Sequence, residues 1–160
     1  MRCYFLRHGI AAEAGEFHGA DFDRPLTDEG HERMIREAKA VAALGIELDV
    51  ILTSPLVRAK QTATIVAKEL KLRDRLVEDT RLGLDFGLSA FASILKEQAR
   101  AEAIMVVGHE PGMSTTVGQL IGSARIDFKK GALALVNVPD STTPRGELVW
   151  LVPPKVLARK

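Results

Sequence analysis

Several short apolar runs in this 160-residue chain end on residues that can handle an anion. Residues 2–7 close on Arg7-His8-Gly9, "LDVILTSP" on Thr53-Ser54-Pro55, and "AIMVVGHEPG" on Gly108-His109-Glu110. Arg58 follows shortly in "SPLVRAKQTA". Each residue alone has an ordinary explanation. A histidine after a strand can bond loop backbone, and an arginine in a first helical turn is usually just solvated. There it opposes the helix dipole, at a cost of about 0.3–1 kcal/mol when no anion is near. Two arginines and two histidines meeting at one edge describe something more specific, a small cationic pocket. Such a pocket suits a phosphoryl group. Guanidinium groups match phosphate oxygens with paired donors, and first-turn helix amides add further ones. Fixed cations stabilise the charge that spreads over the equatorial oxygens during phosphoryl transfer. A neutral imidazole in that pocket is a competent nucleophile. The neighbouring cations are expected to keep it unprotonated.

The elements that must position these residues follow from periodicity. Residues 2–7 read as a strand, and the polar stretch over residues 9–25 is too irregular to assign. "PLTDEGHERMIREAKAVAALG" reads as a helix capped by Thr27, with Asp28 and Glu29 at its positive end and Gly45 as its stop. Met34, Ala38, Val41 and Ala42 form its apolar face. A second strand leads into Ser54-Pro55, read as a helix opening in which Ser54 caps and Pro55 takes the first helical position. That helix runs to about Leu70. "RLVED" reads as a short strand, residues 88–100 as an amphipathic helix, and "MSTTVGQLIG" as a short one. "ALALVNVP" and "GELVWLVP" predict a terminal antiparallel pair. Uninterrupted apolar strands alternating with helices predict a three-layer α/β/α sandwich with a mostly parallel, mixed sheet. In such sheets ligands bind beyond the carboxyl ends of the strands, where the cationic residues cluster.

Composition narrows the function classes. The length predicts a single domain over residues 1–160. A formal net charge of +1 gives no global field for nucleic acid or an anionic membrane, so any attraction for a charged substrate is local. No apolar run approaches the roughly 20 residues that cross a bilayer, and no signal-peptide pattern stands at the start; a cytoplasmic monomer is expected. The lone cysteine, Cys3, excludes an internal disulfide and reads as a small buried hydrophobe. His18 and His31 lack metal-ligand spacing, Asp49 and Trp150 read as structural, and Glu110 either meets substrate or is solvated.

The "LRHG" after the first strand, "SPLVRAKQTA" and the later "VVGHEPG" together resemble the histidine phosphatase superfamily, whose fold is called phosphoglycerate-mutase-like. The resemblance spans nearly the whole chain. It implies that His8 is phosphorylated during turnover, that Arg7, Arg58 and His109 hold the phosphoryl group, and that neither metal nor organic cofactor is used. Within the superfamily the chain is most similar to the short bacterial phosphohistidine phosphatases of the SixA type. It shares their small size and the stretch Arg24-Pro25-Leu26-Thr27. In those enzymes this arginine lies at the active site, which implies Arg24 as a further substrate-binding residue; read without the resemblance, it is an exposed arginine before a helix. Ser54 and Glu110 are the other substrate-binding candidates.

One departure from the superfamily pattern bears on substrate. Mutases and many ester phosphatases carry a glutamate general acid after Arg-Leu-x, and here "RLGLDFG" puts Leu84 in that place, with Asp85 next to it as the candidate acid. An alkoxide leaving group needs protonation, worth roughly 10²–10⁴-fold. The basic nitrogen of a phosphoramidate takes its proton from solvent. The expected substrate is therefore a phosphohistidine on another protein, such as a phosphotransfer domain, reached by a short chain with no covering insertion. The alternatives are a small-molecule phosphomonoesterase using Asp85, and a catalytically silent phosphate-binding module.

Overall fold

The computed structural model describes residues 1–159. Among them, β1 (Arg2–Arg7), β2 (Val50–Thr53), β3 (Leu76–Glu78), β4 (Ala103–Gly108), β5 (Leu133–Asn137) and β6 (Glu147–Val152) form one sheet, ordered β3-β2-β4-β1-β5-β6. The first four strands are mutually parallel, β5 runs antiparallel to β1, and β6 turns back antiparallel to β5. The helices are α1 (Asp28–Ala43), α2 (Val57–Glu69), α3 (Leu88–Glu97), α4 (Gly112–Leu120) and the single turn α5 (Pro154–Leu157). The expected three-layer sandwich with a mixed sheet is present.

Alternation along β1 explains why its sequence is apolar throughout. Tyr4 and Leu6 face a core built with Met34, Ala38 and Val41 of α1 and Ala63 and Val66 of α2. Cys3 and Phe5 face a second core built with Phe91, Ile94 and Leu95 of α3 and Met113 and Val117 of α4. β4 divides in the same way, Met105 and Val107 to one side and Ile104 and Val106 to the other. Full burial of one such side chain stabilises the fold by about 1.5–3 kcal/mol. Burial pushes the Cys3 thiol up to about 12, so it is an inert core residue at ordinary pH.

Local signals set most boundaries. Thr27 Oγ1 accepts from the Gly30 amide at 2.9 Å, and Gly45 stands at φ +66° just beyond the end of α1. Gly30 is required for a second reason: a Cβ there would collide with the Ile10 carbonyl, so only glycine lets α1 lie against the chain leaving β1. The helices expected over residues 88–100 and 113–122 end at Glu97 and Leu120. Asp49 Oδ2 accepts from the amides of Glu102 and Ala103, and Tyr4 packs on Trp150 with ring centroids 6.0 Å apart, so both are structural as expected. No helix among the described residues is long and apolar enough to cross a membrane.

One helix start differs from expectation. Ser54-Pro55 does not open α2. The helix begins at Val57 after an extended Leu56 that makes no side-chain cap, and Pro55 lies outside it. Ser54 Oγ reaches only the Leu56 amide, at 3.3 Å, because its stronger contact lies elsewhere.

Candidate active site

Parallel pairing brings the chemistry together. Arg7 is opposite Gly108 across β1 and β4, and Thr53 is opposite Val107 across β2 and β4. His8, Ser54 and His109 therefore leave adjacent strands at nearly one level. The His8 amide continues the ladder to the Gly108 carbonyl at 3.0 Å, and the Ser54 amide bonds the Val107 carbonyl at 3.0 Å. From the other side, the Gly131 amide bonds the carbonyls of both Arg7 and His8 at 3.1 Å. Gly131 has φ +82°, and a Cβ there would strike the Glu37 carboxylate beneath it.

His8 is 6% exposed, and its Nδ1 lies 2.7 Å from the Gly9 carbonyl. A carbonyl only accepts, so Nδ1 carries the proton and Nε2 keeps its lone pair. The ring lies 5.1 Å from that of His109, centroid to centroid, at 53°. Burial pushes the His8 imidazole down to about 3. His109, Arg58 and Arg7 push the same way, and only the Gly9 bond opposes them. The expectation that cations keep it neutral is thus incomplete, because desolvation is the largest cause. Burial likewise lowers His109 to about 4, with Arg58 next in effect.

His109 Nε2 lies 2.7 Å from Ser54 Oγ, which is fully buried. Ser54 therefore meets the site through the imidazole. Arg58, 3% exposed, donates from one Nη to the Asp21 carbonyl at 2.8 Å and from the other to Asp21 Oδ2 at 3.1 Å. Arg24 donates to Asp21 Oδ1 at 3.0 Å and to the Ala12 carbonyl at 2.7 Å, so one aspartate joins both arginines. Arg7 donates to the Phe128 carbonyl at 2.7 Å. Arg7 Nε, Arg58 Nε and His109 Nδ1 are buried and have no hydrogen-bond partner among the described residues. Buried polar atoms are rarely left in that condition, and donors of this kind beside a neutral imidazole are chemically suited to an anion.

Other candidates are placed differently. Glu110 binds the amide and hydroxyl of Ser114 at 2.8 and 2.6 Å, holding the first turn of α4, while its charge also acts on Arg7. Asp85 is exposed and makes no hydrogen bond or ion pair among the described residues. Two contributors escaped the sequence reading. Asp21 lies in the unassigned loop, its only signal being the spacing to Arg24. Thr62, one helical turn after Arg58, accepts from the Gly9 amide at 3.1 Å and donates to the Arg58 carbonyl at 2.8 Å, tying the His8 loop to α2. Among the described residues no group of three or more His, Cys, Asp and Glu is arranged to hold a metal ion.

Burial of these histidines has a measurable consequence. Unfolded imidazoles bind protons below 6.5, whereas the folded ones stay neutral to about 3 and about 4. Their share of stability is complete above 6.5 and declines as pH falls, by about 1.4 kcal/mol per pH unit for each. Glu37 works in the opposite sense. It is 2% exposed, and burial raises its carboxyl from 4.5 to about 7, so it gains stability as pH falls between those values. Denaturant titrations between about pH 6.5 and 5 are expected to show a net loss near 1.4 kcal/mol per unit, and Glu37→Gln is expected to roughly double that slope. A flat profile in both proteins would show that the imidazoles are not held neutral.

Comparisons with known proteins agree with this geometry. Residues 3–87 match the sequence profile of the histidine phosphatase superfamily (branch 1). The phosphohistidine phosphatase SixA of Escherichia coli (strain K12) is 31% identical over 159 residues, covering 96% of this chain and 94% of that one. An uncharacterized protein of Picosynechococcus sp. is 40% identical over 116 residues, 71% of this chain and 68% of its own. Among solved structures, the protein histidine phosphatase SixA complexed with tungstate superposes with a TM-score of 0.88 at 26% identity, covering 98% of this chain and 99% of that one. An alpha-ribazole phosphatase from Shigella flexneri shares the fold alone, with a TM-score of 0.71 at 19% identity over 96% of this chain and 97% of that one. The chain belongs to the histidine phosphatase superfamily, branch 1, and is a phosphatase working through a histidine nucleophile.

Proposed function

We propose that this protein removes phosphate from phosphohistidine on another protein, with His8 as the nucleophile. The observation that carries this is the lone pair of His8 Nε2 set among buried, unpartnered donors of Arg7, Arg58 and His109, with no carboxylic acid in hydrogen-bond contact with either histidine. In the first step Nε2 attacks phosphorus in line. The P–N bond to the substrate imidazole breaks, and the departing nitrogen takes a proton from solvent. In the second step water attacks the phosphorylated His8, the P–Nε2 bond breaks, phosphate leaves and the water proton passes to solvent.

Arg7 and Arg58 stabilise charge on the equatorial oxygens. Ser54 Oγ accepts from the Leu56 amide and gives its own proton to His109 Nε2, which leaves the imidazole proton on Nδ1 to donate to the phosphoryl group. Asp21 orients Arg58 and Arg24 from one carboxylate. The relationship to a phosphohistidine phosphatase from Escherichia coli supports the substrate class, and capture of tungstate, a tetrahedral oxyanion, by a structural neighbour supports the site. Exposure of Leu84 at 54%, where a glutamate acid would stand in an ester phosphatase of this superfamily, also favours P–N cleavage.

A panel of phosphohistidine peptide, aryl phosphate and sugar phosphate tests the reading, with phosphate release as the measurement. The peptide is expected to have the highest kcat/KM. Asp85→Asn is expected to leave its hydrolysis within about twofold, whereas loss of a working general acid would cost ester cleavage about 10²–10⁴-fold. A fast sugar phosphate that collapses in Asp85→Asn, beside a slow peptide, would establish a phosphomonoesterase instead.

A further inference from the structure

Arg7 faces two places. Its Nε is buried and unpartnered, and its side chain also lines a groove of about 670 Å³. Ile10, Pro153 and Pro154 give that groove an apolar lining. Arg33, Lys129, Lys130 and Lys155 surround it, with Asp127 as its one carboxylate. Arg33 is paired to Glu37 and Lys129 to Asp127, at 3.0 and 2.9 Å. Lys130 and Lys155 have no ion-pair partner among the described residues.

Such a concentration of cations is not a property of the whole surface, since the chain carries a formal net charge of only +1. Its cations come from four separate parts of the fold: the end of β1, α1, the turn before β5, and α5 after β6. A cationic rim over an apolar floor suits an extended peptide that buries an apolar side chain and presents carboxylates to the rim. A small sugar phosphate would leave that floor uncovered.

We infer that this groove docks an acidic segment of the protein substrate lying next to the phosphohistidine, with Arg7 as the hinge between docking and chemistry. The inference rests on the phosphohistidine reading above. Charge complementarity of this kind mainly raises productive encounter, so it weakens with added salt.

Two phosphohistidine peptides of equal length test it, one with glutamates and one with glutamines beside the same apolar residue. Wild-type protein at low salt is expected to favour the acidic peptide by about tenfold in kcat/KM, through KM, with the preference shrinking as salt is added. Lys130→Glu combined with Lys155→Glu is expected to abolish the preference. Turnover of the glutamine peptide and of phosphoramidate should stay unchanged, which also shows that the variant is folded. Equal rates on both peptides in wild type, or a preference that survives the double substitution, would overturn the groove while leaving the phosphohistidine reading intact. Hydrolysis of an aryl phosphate with neither peptide attacked would remove that reading and the docking proposal with it.

Discussion

Replacing His8 with alanine is expected to lower phosphate release by about 10⁴-fold or more, on every substrate the protein accepts. The expectation follows from what remains after the substitution. Arg7, Arg58 and His109 keep their buried donors, so oxyanion binding persists, but no other side chain in the pocket offers an unprotonated nitrogen. His109 cannot take over, because its Nε2 is engaged by Ser54. The variant should therefore bind tungstate with near-wild-type affinity while failing to form a phosphoenzyme. Rapid acid-free quenching of wild type with labelled substrate should trap a phosphohistidine on His8, and the alanine variant should trap none. The substitution also removes a buried imidazole that disfavours the folded state at low pH, so the variant should be more resistant to acid than wild type. Retention of more than about a hundredth of the rate would assign the nucleophile elsewhere.

The positions of these residues were legible in the sequence because parallel strands carry their own ruler. Runs ending in Arg7-His8-Gly9 and Gly108-His109-Glu110 need only pair in register for both histidines to leave the sheet together, and Arg7 does pair with Gly108. Thr27 and Gly45 announced the ends of α1 by local chemistry alone. What stayed hidden depends on partners far apart in the chain. Ser54 before a proline has the composition of a helix cap, yet its hydroxyl lies against an imidazole 55 positions later, and α2 starts beyond it. Asp21 sits in an irregular loop, and nothing local shows that it will hold Arg58 across 37 positions. The neutral state of His8 was foreseen from neighbouring charge, but its main cause is burial, a property of the assembled layers. Short-range signals therefore showed which residues would meet at one sheet edge. The contacts that tune it required tertiary structure.

Arg58→Ala is expected to have the second largest effect, a loss of about 10³-fold in kcat with a smaller change in KM. The split follows from the charge on the transferring group, which spreads onto the equatorial oxygens most fully in the transition state. Arg58 is 3% exposed and fixed at both terminal nitrogens by Asp21, so it needs no reorganisation when that charge develops. Arg58→Lys should recover little. An ammonium can meet either the Asp21 carboxylate or the phosphoryl oxygens, whereas the planar guanidinium spans Asp21 and still has Nε to offer. Asp21→Asn separates positioning from charge. It keeps the backbone carbonyl that binds Arg58 and loses only the carboxylate, which is 46% exposed and contributes little to folding as an ion pair. Its rate should fall by about tenfold, and its melting temperature should barely move. A lysine variant near wild-type kcat would mean that a point charge suffices, and the geometry that Asp21 imposes would then be incidental to the chemistry.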